Sequence, residues 1–164
     1  MTRYYAGIGS RQTPEPVLLL MEHIALKLYL KGYWCRTGGA DGADSAFERG
    51  AHPNVEVYLP WTRFNGRFSG IVVCSDTHRQ IAQEHHPAWG KLTSGAKKLM
   101  TRNVAQIIGN TTPIVLSEFV VCWTPNGAGG GGTGQAIRVA RSYGVPVYDL
   151  ALAEAREKVK EIIR

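Results

Sequence analysis

The sequence predicts an α/β fold in which a mostly parallel sheet carries helices on both faces. Two observations lead to it. Short apolar, β-branched or aromatic runs alternate along the chain with longer runs whose apolar residues recur every three or four positions. Glycines also gather where three of the short runs end. Parallel strands need a helix-length crossover, so this alternation implies a sheet sandwiched between helical layers.

Taken in order, Arg3 to Ile8 read as a strand running into the turn Gly9-Ser10-Arg11, and Pro14 and Pro16 sit where a helix would begin. Between Val17 and Leu30 the residues Val17, Leu20, Met21, Ile24 and Leu28 share one helical face, and Gly32 is a natural stop. Tyr33 to Thr37 is a second strand, Gly38 to Gly42 a tight turn, Ala43 to Gly50 a helix, and Val55 to Leu59 a third strand between Pro53 and Pro60. The middle is less regular. Trp61 to Ser69 is a polar and aromatic loop, Gly70 to Cys74 a short apolar run, and Asp76 to His86 a helix cut by Pro87. Ser94 to Ile108 reads as a helix ending at Gly109, Ser117 to Trp123 as a strand covered on both faces, Thr133 to Tyr143 as a helix, Val145 to Leu150 as a strand, and Ala151 to Arg164 as a closing helix. No internal repeat or linker interrupts the pattern, so residues 1–164 form a single Rossmann-like domain.

Composition narrows the function classes. With 164 residues, 44% hydrophobic and 20% charged, the chain has the profile of one globular domain rather than of a disordered or fibrous protein. No apolar run approaches the roughly 20 residues of a membrane helix, and no basic segment precedes the early apolar stretch as a signal peptide would require. Cys35, Cys74 and Cys122 each lie in an apolar run and are expected to be reduced core thiols in a cytoplasmic protein. Nineteen Lys and Arg against thirteen Asp and Glu leave a net charge of +6, which favours partners bearing phosphate. His78, Glu84, His85 and His86 lack the spacing of a metal site, so neither a metal nor a cofactor is expected.

Eleven of the 19 glycines, from Gly7 and Gly9 through Gly38, Gly39 and Gly42 to the run between Gly127 and Gly134, fall at turns leaving three predicted strands. In a parallel sheet such turns share the carboxyl edge, where open α/β folds bind ligands. Glycine lets backbone N–H groups approach an anion, and the next helix adds its positive end. None of the turns matches the dinucleotide fingerprint or the P-loop.

Gly9-Ser10-Arg11, then Thr37 to Asp44 (TGGADGAD), then Arg102-Asn103, then Gly131-Gly132-Thr133 occur in the order seen in the SLOG superfamily of Rossmann-like nucleotide-binding proteins. The chain resembles its DprA/Smf branch, and in particular the short DprA-like proteins of bacteriophages, from about Tyr5 to Leu150. The resemblance implies a pocket in which Gly9, Ser10, Arg11, Gly38, Gly39, Ala40, Asp44, Arg102, Gly131, Gly132 and Thr133 surround a phosphate or phosphoribosyl group. Arg11 and Arg102 would supply its positive charge. Homodimerisation is also implied.

One departure bears on activity. Lonely Guy phosphoribohydrolases carry a glutamate just after the glycine-rich turn, whereas here Thr133 is followed by Gly134-Gln135-Ala136. N-glycosidic cleavage passes through an oxocarbenium-like state that an adjacent carboxylate stabilises, so binding without hydrolysis is expected. Asp41 and Asp44 stand where helix-capping aspartates belong. Three readings follow: a protein that senses or sequesters a phosphorylated nucleoside or ADP-ribose-like ligand, a nucleoside monophosphate N-glycosidase with a relocated acid, or a single-stranded DNA module. Trp61 and Phe64 are expected to form a lid stacking on the base.

Overall fold

A computed structural model describes residues 1–164. Six strands, β1 (Arg3–Gly7), β2 (Tyr33–Thr37), β3 (Val55–Leu59), β4 (Ile71–Val72), β5 (Val120–Cys122) and β6 (Val147–Asp149), form one sheet in the order β4-β3-β2-β1-β5-β6. Every neighbouring pair is parallel, so the sheet is wholly rather than mostly parallel. The six α-helices are α1 (Glu15–Leu30), α2 (Ala43–Ala51), α3 (Asp76–Glu84), α4 (Ser94–Ile108), α5 (Gly131–Ser142) and α6 (Ala153–Ile163). The fold is Rossmann-like α/β.

Strand alternation assigns the two cores. Tyr5 and Val121 point to one face, where they pack with Met21, Ile24 and Leu28 of α1, Phe47 of α2 and Val159 of α6. Ala6 and Val120 point to the other, with Val104 and Ile107 of α4 and Ile137 and Val139 of α5. Each fully buried large apolar side chain contributes roughly 1.5–3 kcal/mol by leaving water. No helix is long and apolar enough to cross a membrane.

Most boundaries agree with the periodicity, and the exceptions have local causes. The run expected as a strand over 117–123 keeps regular pairing only at Val120–Cys122; at its start the Ser117 amide donates to the Ile107 carbonyl of α4 at 2.8 Å rather than to a neighbouring strand. β4 is a two-residue edge strand; Val73 after it turns in against Tyr58 and Ala105, whereas Cys74 is exposed rather than a core thiol. Cys35 and Cys122 are buried as expected.

Topology places the site. From β1 the chain winds outward through β2 and β3 to β4, then returns along α4 to β5 on the other side of β1. Helices leaving β1 and β5 therefore diverge to opposite faces, opening a crevice at the carboxyl ends of these two strands.

Candidate functional site

A cavity of about 390 Å³ occupies this crevice. Ile8 to Arg11, leaving β1, form one wall, and Gly130 to Thr133, opening α5, form a second. Ala40 and Asp44 enter from the β2 turn, while Leu99, Arg102, Asn103 and Gln106 rise from one face of α4. Nine of the eleven residues expected at a site thus border one cavity: Gly9, Ser10, Arg11, Ala40, Asp44, Arg102, Gly131, Gly132 and Thr133.

Helix ends around it differ from those elsewhere. α3 and α4 are capped by side chains, Ser75 accepting from the His78 amide and Thr93 from the Ala96 amide. α5 begins at Gly130 with no capping side chain and no acidic residue in its first turn. The amides of Gly131, Gly132 and Thr133 therefore lack a side-chain acceptor, and the positive end of the helix is left uncompensated beside the cavity. Arg11 is exposed at the rim. Ser10 is tied down: its amide donates to the Trp123 carbonyl at 3.2 Å, which couples the β1 turn to β5.

The β2 turn behaves differently from expectation. Gly38 and Gly39 do not border the cavity, because their backbone is already engaged. Arg102 donates to the Gly38 carbonyl, and Asn65 Nδ2 donates to the Gly39 carbonyl at 3.2 Å. The Ala40 amide donates to Asp44 Oδ2 at 3.1 Å, and the Ser45 hydroxyl donates to the Ala40 carbonyl at 2.9 Å. This turn is a braced support rather than an open nest of amides.

Asp44 consequently does not cap its helix. It lies in the first turn of α2, after the N-cap Gly42, with its carboxyl buried at the cavity floor. Burial raises its pKa against the opposing pull of Arg102, the Ala40 amide and Arg11. Asp41 is no cap either; it accepts from Asn65 at 3.0 Å. Arg102 is almost fully buried, and desolvation lowers its pKa against the favourable field of Asp44. It holds the β2 turn and the Tyr58 carbonyl (3.2 Å) while still facing the cavity, so its charge serves architecture as well.

The expected lid is absent at the cavity. Phe64 is buried against Val57 and Leu59, and its ring lies 5.5 Å from the Arg102 guanidinium carbon. Trp61 packs edge-on to Phe64 with centroids 5.3 Å apart and borders a separate hollow with Arg79 and Lys98. The apolar residues of this loop seat it on the domain, which the alternation of aromatic and basic residues did not reveal.

Gln106 was not among the residues anticipated. Leu99, Arg102, Asn103 and Gln106 fall at positions i, i+3, i+4 and i+7 of α4, one helical face whose last three residues are polar, a pattern that was available as a signal. Asn103 bridges to the α5 turn, donating to the Gly132 carbonyl at 3.2 Å and to Gln135 Oε1 at 3.4 Å. Gln135, in the place of the expected glutamate, is fully buried and does not border the cavity.

No protein-family model matches the sequence, and no curated protein matches it. Among solved structures the chain is similar to DNA processing protein A from Helicobacter pylori, studied for its single-stranded DNA binding mode, with 15% identity, a TM-score of 0.56, and coverage of 98% of this chain and 78% of that one. It is similar also to the Moco carrier protein from Chlamydomonas reinhardtii, with 15% identity, a TM-score of 0.57, and coverage of 99% and 85%. At this identity the likeness is one of fold: a Rossmann-like α/β domain shared across nearly the whole of this chain.

Proposed function

We propose that this chain is a nucleotide-binding protein of the DprA-like, SLOG type that recognises a phosphorylated nucleoside and senses or sequesters it. One observation carries the reading: the β1 turn, the uncapped start of α5 and the face of α4 that carries Arg102 meet at a single cavity over the sheet's switch point. In this reading the phosphate sits against the amides of Gly131, Gly132 and Thr133 and beside Arg11. The volume of about 390 Å³ lies near the lower end of the roughly 300–1,000 Å³ range of small-molecule sites. That favours a nucleoside monophosphate over an ADP-ribose-sized ligand. Equilibrium titration with nucleoside 5′-monophosphates should give binding that Arg11→Ala weakens while the melting temperature of the free protein holds. Silence of every nucleotide at millimolar concentration overturns the proposal.

A hydrolytic reading draws on Asp44, a buried carboxyl that borders the cavity. Incubation with nucleoside monophosphates separates it from pure binding, because hydrolysis liberates free base and Asp44→Asn abolishes the release. A single-stranded DNA reading draws on the fold shared with DNA processing protein A and on exposed Phe68 beneath Arg63. It requires an affinity that falls steeply with salt. A homodimer through the exposed Leu19, Leu26 and Leu30 of α1 belongs to the same proposal.

A further inference from the structure

The sheet ends at β6, and a groove of about 690 Å³ runs along its open edge, sharing no lining residue with the crevice. Its walls come from opposite layers: Arg138 and Arg141 of α5 on one side, Leu152, Ala155 and Lys158 of α6 on the other, with Val147 and Asp149 between them. The Val120 amide donates to the Pro146 carbonyl and the Leu150 amide to the Cys122 carbonyl, both at 2.8 Å, so residues 146, 148 and 150 pair with β5. Val147 and Asp149 therefore turn their main-chain groups outward. Only the Asp149 carbonyl is taken, by the Leu152 amide at 2.9 Å. Two amides and the Val147 carbonyl remain as unused pairing groups along a sheet edge.

The walls define the chemistry of the occupant. The Arg141 guanidinium has no partner, Arg138 donates only to the His85 carbonyl at 2.9 Å, and Lys158 reaches only Glu161 at 3.9 Å. Of the groove's two acids, Asp149 already accepts from the Thr124 and Ala151 amides at 3.2 and 3.0 Å, and Glu154 lies on the first turn of α6, one turn before Lys158. The stretch around Arg141 is therefore cationic. Leu152, 47% exposed, and Ala155 add an apolar strip on the α6 side. A strand laid along this edge sends alternate side chains toward α5 and toward α6. We infer that the β6 edge takes up an extended peptide as a seventh strand, with acidic side chains against Arg138 and Arg141 and apolar ones against Leu152 and Ala155. A small anion would use the arginines but leave the main-chain groups of Val147 and Asp149 unpaired, and a basic peptide would be repelled. The inference does not depend on the nucleotide reading of the crevice.

Selection of a random heptapeptide display library on the whole chain tests it. The recovered peptides should alternate Asp or Glu with apolar residues, and a synthetic copy should lose about tenfold or more in affinity for Arg141→Glu. That variant should keep the parent melting temperature, since the guanidinium has no partner to lose; Lys158→Glu serves where it does not fold. By NMR hydrogen exchange, the Val147 and Asp149 amides should slow about tenfold or more when the peptide is added, a response that contact through side chains alone does not produce. Recovery of no peptide, of peptides without acidic residues, or of peptides that leave both amides exchanging freely overturns the inference, and so does an affinity unchanged in the variant. Slowing that grows with protein concentration and needs no peptide assigns the edge to a second copy of the chain and overturns it as well.

Discussion

Asp44 sets the pH response of the cavity. With its carboxyl pushed up by burial, the fold favours the neutral form. By linkage this group's contribution to stability is greatest below about pH 4, near the unfolded carboxyl value, and is lost as pH rises through the folded one. Anion binding should follow the same protonation, because neutral Asp44 no longer offsets the fields of Arg102 and Arg11. Sulfate, divalent across this range, is the suitable probe: its affinity should rise as pH falls through the raised value. Asp44→Asn should hold the higher affinity at neutral pH and flatten the profile. The thiols give a second expectation. Burial pushes Cys35 up to about 12 and raises Cys122 further, while Cys74 is exposed. An aromatic disulfide reagent should therefore titrate one thiol in the native protein and three after denaturation, and fast reaction of more than one in the native state would contradict the burial of the two core thiols.

Among the elements, α1 and α2 pack most closely, and Gly50 is the reason. A Cβ at Gly50 would stand 2.2 Å from the Glu22 backbone carbonyl, an atom that cannot move without moving α1. Gly50→Ala should cost about 1–3 kcal/mol and lower the denaturation midpoint, whereas Gly90→Ala, where an added Cβ meets nothing within 4 Å, should leave it near the parent value. Elements were read well wherever one physical signal dominated. β2, β3 and α4 coincide with their expected bounds because turn residues or caps delimit a clear periodicity. α5 starts earlier than expected, since its first residues are glycines that carry no apolar period. The loop after β3 was misread as a lid because Phe64 and Trp61 resemble stacking residues until the surface they cover is known.

At the scale of the whole molecule, the exposed leucines of α1 form a stripe at positions i, i+7 and i+11 on the layer facing away from the crevice. Light scattering should report twice the chain mass, and Leu26→Lys should return it to that of a monomer without altering nucleotide affinity. An unaltered dimer in that variant would place the contact elsewhere. The carboxyl-edge site was legible in outline because glycine clusters after parallel strands share one edge whatever the strand order. Local sequence by itself determined most of the secondary structure, the two-sided sheet and the turns that border the cavity, since these depend on periodicity and backbone freedom within a few residues. Tertiary structure alone decided that the Gly38 turn is braced rather than open, that Asp44 floors the cavity instead of capping a helix, and that Gln106 borders it. Each of those depends on side chains distant in sequence competing for the same hydrogen bonds, and that competition exists only once β2, α2 and α4 are packed together.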